Sequence, residues 1–336
     1  MWHTFCPVDD IKSDLKNRSV GLKSATAVGS DWNACLGTIV QFLRSRSTEG
    51  ENEARAKGEL QLSESHRPYR NLALFVRCIM EVGRPYSRLL CRLERYGALD
   101  TEDRQRISEL PLSVTNVPAN QEITHQGDRP SGCVLVLGGY LYTHKIASGA
   151  RRQITSFVIP GDLADLQALY LHSVDYNLSA LGPAAVAFLP HDALRDTLER
   201  SPQLARAFWR ETFIETSIFR EWVTNLGRRD AIARVAHVVC ELAARLQAVD
   251  LARNLCFSIP LTQAELADAC GISSVHANRV VQELRRLGLV EWDSKQVRIR
   301  DWKGLVRIGD FSADYLQLPL GVKEAASCDA TISEPA

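Results

Sequence analysis

The sequence predicts an α+β protein in which a β jelly roll is followed by a long helix and a C-terminal winged helix-turn-helix. Three observations support this prediction. Short β-rich runs fill residues 112–189, an apolar helical pattern begins at Pro202, and two short helices joined at Gly271 precede a basic hairpin. The chain has 336 residues, 45% of them hydrophobic, which is enough for about two domains with real cores.

The β-rich region contains four strand patterns separated by glycine turns. Several short strands at this spacing predict a β-sandwich or barrel, here a jelly roll. Before this region, a helix is predicted in YSRLLCRLERY, where the apolar residues at helical spacing are Leu89, Leu90, Leu93 and Tyr96. The stretch LDTEDRQRISEL predicts a second, capped helix. The strand patterns are CVLVL, YLYTHKI, QITSFVI and AAVAFL, and the turns are Gly127-Asp128, Gly138-Gly139, Ser148-Gly149 and Pro160-Gly161.

A long helix is predicted to begin at Pro202 and to run to about Leu226. A helix that is apolar on more than one side must bury a second face. We therefore expect one side to pack on the β-domain and the other against a second copy of the chain. A core helix buried within one subunit is the alternative. The apolar residues along it are Leu204, Phe208, Ile214, Ile218, Phe219, Trp222, Val223 and Leu226.

The stretch LTQAELADACGISSVHANRVVQELRRLGLVEW contains two helical patterns hinged on one glycine. Thr262 and Glu265 form a capping box, so a helix should begin at Gln263. Gly271 should end it, because glycine adopts the left-handed conformation that a tight helix exit needs. Ser273 is a suitable N-cap for the second helix. Such a short connection predicts a helix-turn-helix.

Both helices carry an apolar face, and a hairpin follows them. Residues 289–292 and 296–300 alternate polar and apolar side chains around Asp293-Ser294-Lys295, which predicts a β-hairpin and makes the helix-turn-helix winged. The predicted buried positions are Leu266, Ala267 and Cys270 in the first helix and Ala277, Val280, Val281, Leu284 and Leu287 in the second.

The opposite face of the second helix carries side chains suited to DNA. Arginine can bind a guanine edge bidentately, asparagine can do the same to adenine, and valine can contact a thymine methyl group. Arg285, Arg286 and the helix N-terminal turn can hold phosphates. A solvated face on an ordinary helical hairpin is the alternative, and the adjoining hairpin favours DNA. The predicted interface comprises Thr262, Gln263, Ser273, Ser274, Val275, His276, Asn278, Arg279, Gln282, Arg285 and Arg286.

Composition argues against several other classes of protein. The net charge is +0, with a modest basic surplus confined to residues 226–304. No apolar run is long enough to span a bilayer and MWHTFCPVDD lacks the features of a signal peptide, so we expect a cytoplasmic protein without a membrane partner. The nine cysteines are scattered and form no Cys-x-x-Cys motif. We predict no metal site, no cofactor and, because catalytic motifs are lacking, no catalytic residues.

In this order, the motifs resemble the Crp/Fnr family of bacterial transcription regulators. The resemblance covers Tyr86 to Asp310, about two thirds of the chain, and includes ITHQGDRPSGCVLVLGGYL, the VIPGDL turn, RRDAIARVAHVV and the winged helix-turn-helix. It implies a homodimer with a sensor of the cyclic-nucleotide-binding type and two recognition helices on a near-palindromic duplex DNA site. RNA polymerase is a further expected partner. Arg279 falls on the arginine with which family members read guanine.

The same resemblance identifies departures in the sensor. Members that bind cyclic AMP carry a Gly-Glu pair and an Arg-Ser or Arg-Thr pair, where this chain has Ala164-Asp165 and Tyr176-Asn177. Losing the arginine removes the bidentate contact that a phosphate needs, so we expect an effector pocket that no longer binds cyclic AMP. Cys78, Cys91 and Cys133 are not clustered as an iron–sulfur member requires. His144 or His172 could ligate haem, although a surface or core histidine is the favoured interpretation.

Five segments are predicted. Residues 1–79 form a disordered extension, 80–200 a cyclic-nucleotide-binding-like sensor, 201–226 the dimerisation helix, 227–310 the winged helix-turn-helix and 311–336 a C-terminal tail. Ser45–Ser65 is too polar to fold alone, and family-like sequence starts beside the internal methionine at position 80, so we expect the extension to be dispensable. A dimeric transcription regulator is the leading hypothesis. A small-molecule or haem receptor whose helical end binds protein is the alternative.

Overall fold

The computed structural model describes residues 85–318. The predicted extension, residues 1–79, lies outside that range, as does the tail from residue 319 onward. Residues 311–318, which begin the predicted tail, are folded, and the side chains of Phe311, Leu316 and Leu318 are buried. These apolar side chains make the final described turn part of the C-terminal core.

The jelly roll consists of two four-stranded antiparallel sheets, as predicted. The strand orders are β1-β8-β3-β6 and β2-β7-β4-β5. The four strand patterns recognised in the sequence form β3, β4, β5 and β8; the other four strands are short and lacked a detectable alternation. The strands are β1 (Ser113–Val117), β2 (Glu122–Thr124), β3 (Gly132–Gly138), β4 (Leu141–Ala147), β5 (Arg151–Val158), β6 (Leu163–Ala164), β7 (Asn177–Ala180) and β8 (Ala184–Pro190).

Strand β3 reads as an unbroken apolar run because both of its faces are covered. Val134 and Val136 point into the jelly roll, where they pack with Leu141 and Leu178. The alternate residues of β3 pack against helices on the outer face. A strand that is buried on both sides has no reason to alternate polar and apolar residues. At the turn that follows, Gly139 has φ +75°, and an added Cβ would lie 2.5 Å from the Pro183 carbonyl oxygen, so only glycine fits.

Four helices flank the jelly roll: α1 (Pro85–Leu93), α2 (Thr101–Ser108), α3 (His191–Arg200) and α4 (Pro202–Arg228). Helix α4 is the predicted long helix, with Pro202 in its first turn and the Ser201 hydroxyl accepting a hydrogen bond from the Leu204 N–H at 3.1 Å. Its N-terminal half packs on the outer face of the β3 sheet. The cluster at this contact includes Leu89, Leu93, Leu135, Leu189, Leu194, Leu204 and Phe208.

The C-terminal module is built around helix α5 (Ala231–Gln247), which is buried along most of its length. Strand β9 pairs with β11, so the predicted hairpin is one part of a three-stranded sheet in the order β10-β11-β9. Sequence reasoning did not find β9, because three residues are too few to establish a period. The other elements are β9 (Cys256–Ser258), α6 (Gln263–Cys270), α7 (Ser274–Arg286), β10 (Val290–Asp293), β11 (Gln296–Ile299) and α8 (Trp302–Gly309).

A buried ion-pair network joins the C-terminal module to the jelly roll. Arg245 on α5 donates to the Asp162 carboxylate at 2.7 Å, to the Phe157 carbonyl at 2.9 Å and to the Glu241 carboxylate at 3.1 Å. Arg92 on α1 pairs with the same Asp162. Asp162 of the jelly roll thus binds guanidinium groups from two helices, so the network fixes how these elements meet.

We expect Arg245→Met to destabilise the folded protein by about 3–5 kcal/mol, because it removes the cation of the buried Glu241 and leaves Asp162 with Arg92 alone. Arg200→Met is the matched control: Arg200 forms an exposed i,i+4 pair with Asp196, and such pairs contribute at most about 1 kcal/mol. Urea unfolding at one fixed protein concentration measures both. Equal losses in the two variants would contradict the assigned role of Arg245.

Candidate nucleic-acid interface

The first helix of the helix-turn-helix is fixed by the predicted capping box. The Glu265 carboxylate accepts from the Thr262 N–H at 2.7 Å, and the Thr262 hydroxyl accepts from the Glu265 N–H at 3.3 Å. Gly271 ends the helix in the left-handed conformation with φ +63°. These two features orient α6 and define the short exit to α7.

Helix α7 is capped by Ser273, whose hydroxyl accepts from the His276 N–H at 3.2 Å. Its predicted buried positions Ala277, Val280, Val281 and Leu284 are all buried. The prediction that Leu287 is also buried is wrong, because its side chain is 44% exposed. The helix ends at Arg286 and the chain turns at Gly288 with φ +70°, so helical periodicity no longer applies there. Leu289 occupies the buried position instead.

The predicted DNA-binding side chains lie on one exposed surface, with one exception. Asn278 is half-buried, and its carbonyl oxygen accepts a hydrogen bond from the Gln263 side chain at 3.2 Å. This contact links the two helices and orients the asparagine amide. Val275 is 64% exposed, an unusual position for a large apolar side chain. The exposed members are Thr262, Gln263, Ser273, Ser274, Val275, His276, Arg279, Gln282, Arg285 and Arg286.

The three arginines on this surface differ in their partners. Arg286 is bound bidentately by Glu283, at 2.9 and 2.6 Å. Its hydrogen bonds lower the pKa of Glu283, so the pair is ionised at neutral pH. Arg279 and Arg285 are exposed, and neither forms an ion pair with any residue between 85 and 318. Their guanidinium groups are therefore uncommitted, whereas a phosphate would have to compete with Glu283 for Arg286.

Basic side chains on the wing extend this surface, and the sequence reasoning did not assign them to the interface. Lys295 lies exposed in the β10–β11 turn, and Arg298 and Arg300 are exposed beside Glu291. The alternation in β11, which places its basic residues on one face and Val297 and Ile299 in the core, could have identified them.

A second exposed surface lies on α4. Trp209, Phe213 and Val223 are 54%, 61% and 72% exposed, while Ile218 and Trp222 on the opposite side are buried. Helix α4 thus has apolar side chains on two faces, although Trp209 and Phe213 were missing from the predicted stripe. The packing of the exposed face against a second copy stays a prediction. Trp209, Phe213, Thr216, Arg220 and Val223 alternate four and three positions apart, which is the spacing of a coiled-coil seam, with polar residues at the third and fourth positions.

The four predicted effector-pocket positions cluster in the jelly roll. The Tyr176 hydroxyl donates to the Asp165 carboxylate at 2.6 Å, and the Thr124 hydroxyl donates to it at 2.9 Å. Burial raises the pKa of both Asp165 and Tyr176. Ala164 is buried, and the Asn177 side chain accepts from the Gln126 N–H at 3.0 Å. The polar groups at this place therefore satisfy one another.

The two arginines at the start of β5 do not replace the missing phosphate contact. Because Arg151 and Arg152 follow the Ser148-Gly149 turn, the sequence predicts both at an exposed hairpin. Arg151 is exposed, but the prediction is wrong for Arg152. Arg152 is half-buried and binds Asp268 of α6 at 2.7 Å and the Tyr142 hydroxyl at 2.8 Å. The expectation failed because strand β5 begins at Arg151 and carries Arg152 towards α6.

Neither histidine considered as a haem ligand has a metal-binding environment. His144 is buried, its Nε2 lies 3.5 Å from Glu122, and burial lowers its pKa. His172 is exposed. Between residues 85 and 318 no group of three or more His, Cys, Asp or Glu side chains could hold a metal ion. Within the same range no helix is long and apolar enough to cross a membrane.

Two family models match the two halves of this architecture. The cyclic nucleotide-binding domain matches residues 114–201, and the Crp-like helix-turn-helix domain matches residues 233–308. The first covers the jelly roll with α3, and the second covers α5 to α8. Their order along the chain is the order that the strands and helices show.

Curated relatives align across both domains. The chain is 25% identical to the transcriptional activator protein FnrA of Stutzerimonas stutzeri over 217 residues, covering 65% of this chain and 88% of the relative. It is 24% identical to the transcriptional activator protein anr of Pseudomonas aeruginosa, covering 61% and 83%. The structure of FixK2 from Bradyrhizobium japonicum shares the fold, with a TM-score of 0.55 and 24% identity, covering 61% of this chain and 100% of that one. Both domains, in this order, match those of the Crp/Fnr family of DNA-binding transcription regulators.

Proposed function

We propose that the protein acts as a homodimer that reads a near-palindromic duplex site with α7 in the major groove. The observation that carries this proposal is the exposed face of α7, on which Arg279 has no ion-pair partner among residues 85–318. The buried side of the same helix holds it firmly against the core. A rigid helix with free hydrogen-bonding side chains is what base readout requires.

The residues divide into two roles in this proposal. Ser274, Val275, Asn278, Arg279 and Gln282 would read base edges. Phosphate contacts would position the helix without reading sequence. These contacts would come from Thr262, Gln263, Ser273, His276, Arg285 and Arg286, with Lys295 of the wing added by the structure.

The α4 seam supports the dimer. Two exposed aromatic rings, Trp209 and Phe213, lie with their centroids 6.0 Å apart on the solvent side of the helix. Aromatic side chains bury large apolar areas and are enriched at interfaces. Pairing two α4 helices would cover these rings. It would also place the two α7 helices about one DNA turn apart, which requires an inverted repeat in the DNA.

Activation of transcription through RNA polymerase is the expected outcome of DNA binding. The relatives described above are named transcriptional activators, and this supports the same role here. The rival hypothesis, a receptor whose helical end binds protein, differs in its salt dependence. Binding to duplex DNA releases counterions, so its affinity must fall steeply as the salt concentration rises.

We expect Arg279→Ala to weaken binding to the preferred duplex by about 1–3 kcal/mol and to relax selectivity at one symmetric base pair. Arg285→Ala is the matched control, because loss of a phosphate contact should weaken binding to all sequences alike. Selection from a random duplex pool, followed by fluorescence anisotropy, measures both effects. Unchanged base preferences in Arg279→Ala would refute its role in readout.

Phe213→Asp should disrupt the dimer, because it places an unpaired charge at the centre of the proposed seam. Leu171→Asp is the control, since Leu171 is also exposed, at 58%, but lies outside α4. Sedimentation at a series of concentrations should show a dimer constant weakened by about 100-fold or more in Phe213→Asp only, as expected for about 3 kcal/mol. Unaltered association would remove the seam from the proposal.

We also propose that cyclic nucleotides are not the effector. A buried cyclic phosphate without a paired cation is costly, and Asp165 and Tyr176 already satisfy each other. Calorimetric titration with cyclic AMP and cyclic GMP should show no binding tighter than about millimolar, equivalent to about −4 kcal/mol. Micromolar binding that also changed DNA affinity would contradict this expectation.

A further inference from the structure

A small, partly open cavity lies where α1, the jelly roll and the middle of α4 meet. Its volume is about 50 Å³, enough for roughly three or four water molecules. Phe208 and Ile218 form part of its apolar wall, while hydroxyls, two guanidinium groups and three carboxylates form its polar wall. The polar residues that line it are Arg92, Thr143, Ser156, Asp162, Tyr176, Glu211, Glu215 and Arg245.

Two arginines line the cavity, but both are committed to carboxylates. Arg92 pairs with Asp162 and Glu211. Arg245 pairs with Asp162 and with Glu241. Two guanidinium groups therefore already face three carboxylates before Glu215 is counted. An anionic ligand would add to a surplus of negative charge in a poorly solvated place, which is unfavourable.

Glu215 is the carboxylate without a partner. It is half-buried on α4 and lines the cavity, yet within residues 85–318 it forms no hydrogen bond and no ion pair. Burial raises its pKa to about 7, and the negative charge of Asp162 adds to this effect. A carboxylate normally accepts several hydrogen bonds, so those of Glu215 have to come from whatever occupies the cavity that it lines.

We propose that this cavity binds a compact organic cation, an amidinium or ammonium group of about four heavy atoms, through an ion pair with Glu215. The hydroxyls of Thr143 and Ser156 lie in the same wall and can accept further hydrogen bonds from such a group. The apolar wall fits the carbon part of the ligand. A metal ion is not favoured, because no cluster of three suitable side chains exists in the part of the chain that the structure describes.

Occupancy of the cavity can influence the DNA-binding module through Arg245. This residue lines the cavity and lies on α5, and helices α6 and α7 both pack against α5. A cation beside Glu215 would change the electrostatic surroundings of the Arg245 network. The regulatory use of the site rests on the proposed function, whereas ligand binding itself does not.

Three probes of nearly equal shape test the charge selectivity of the cavity. The full chain, without DNA, is titrated calorimetrically with acetamidinium, acetamide and acetate, which carry charges of +1, 0 and −1. Acetamidinium should bind at least about ten-fold more tightly than either of the others, because only it forms a charge-assisted pair. Equal binding of the three, or no binding by acetamidinium, would overturn the proposal.

Glu215→Gln separates the site from general surface effects. This substitution keeps the shape and removes an unpaired charge, so the variant should fold, and its preference for acetamidinium should disappear. Glu199→Gln, at an exposed glutamate, should bind like the unaltered chain. Retention of the preference in Glu215→Gln would overturn the assignment. DNA binding by the unliganded chain is measured separately, so failure of the proposed function would not be mistaken for failure of the cation site.

The pH dependence gives a second readout. Below pH 7 a cation must displace the proton from Glu215, so its affinity should fall about ten-fold from pH 8 to pH 6. A pH-independent affinity would exclude Glu215 as the partner. The other ionisable groups that act on this carboxylate or on its arginines are Arg92, Asp162, Asp165, Tyr176, Glu211, Glu241 and Arg245.

Discussion

The orientation of the C-terminal module on the jelly roll depends on the hydrogen bonds of one buried guanidinium group, that of Arg245. It lies on the central helix of the C-terminal module and donates to Asp162 and Phe157 of the jelly roll. A buried charge cannot lose one partner without a large desolvation cost. The orientation of the C-terminal module on the jelly roll is therefore more strongly specified than apolar packing alone would make it.

Glu241 connects the same network to helix α4 and to the last described turn. Its carboxylate accepts from the Trp222 indole at 3.0 Å and from the Tyr315 hydroxyl at 2.8 Å. Helices α4 and α5 and the last described turn thus share one acceptor. A second contact, between Arg152 of β5 and Asp268 of α6, ties the jelly roll directly to the helix-turn-helix. Two polar contacts therefore connect the jelly roll to the C-terminal module.

The jelly roll keeps its fold while its polar interior differs from that of a cyclic-nucleotide site. Tyr176 and Asp165 bind each other where a phosphate contact would be needed, and the neighbouring cavity carries a surplus of carboxylates. Fold and ligand chemistry are therefore separable in this protein. The β-strands are fixed by apolar alternation and covered faces, while a few polar residues decide which charge the interior can accept.

Local sequence determined the elements and most of the candidate interface. The Thr262–Glu265 capping box, Gly271 and the Ser273 cap are short-range signals, so the helix-turn-helix could be predicted with nearly correct ends. The long helix was found for the same reason, from Pro202 and its apolar residues. Leu287 was misplaced because periodicity cannot locate the residue at which a helix stops.

Only the tertiary structure decided which side chains meet across the chain. Asp162 is 83 residues from Arg245 and Asp268 is 116 residues from Arg152, and no local pattern encodes such pairings. The pairing of Tyr176 with Asp165, the exposure of Trp209 and Phe213 and the cavity beside Glu215 likewise depend on how the elements pack. The local sequence determines the conformational preferences of the backbone. The burial of a side chain is a property of the assembled fold, and burial sets the desolvation free energy of each charged group.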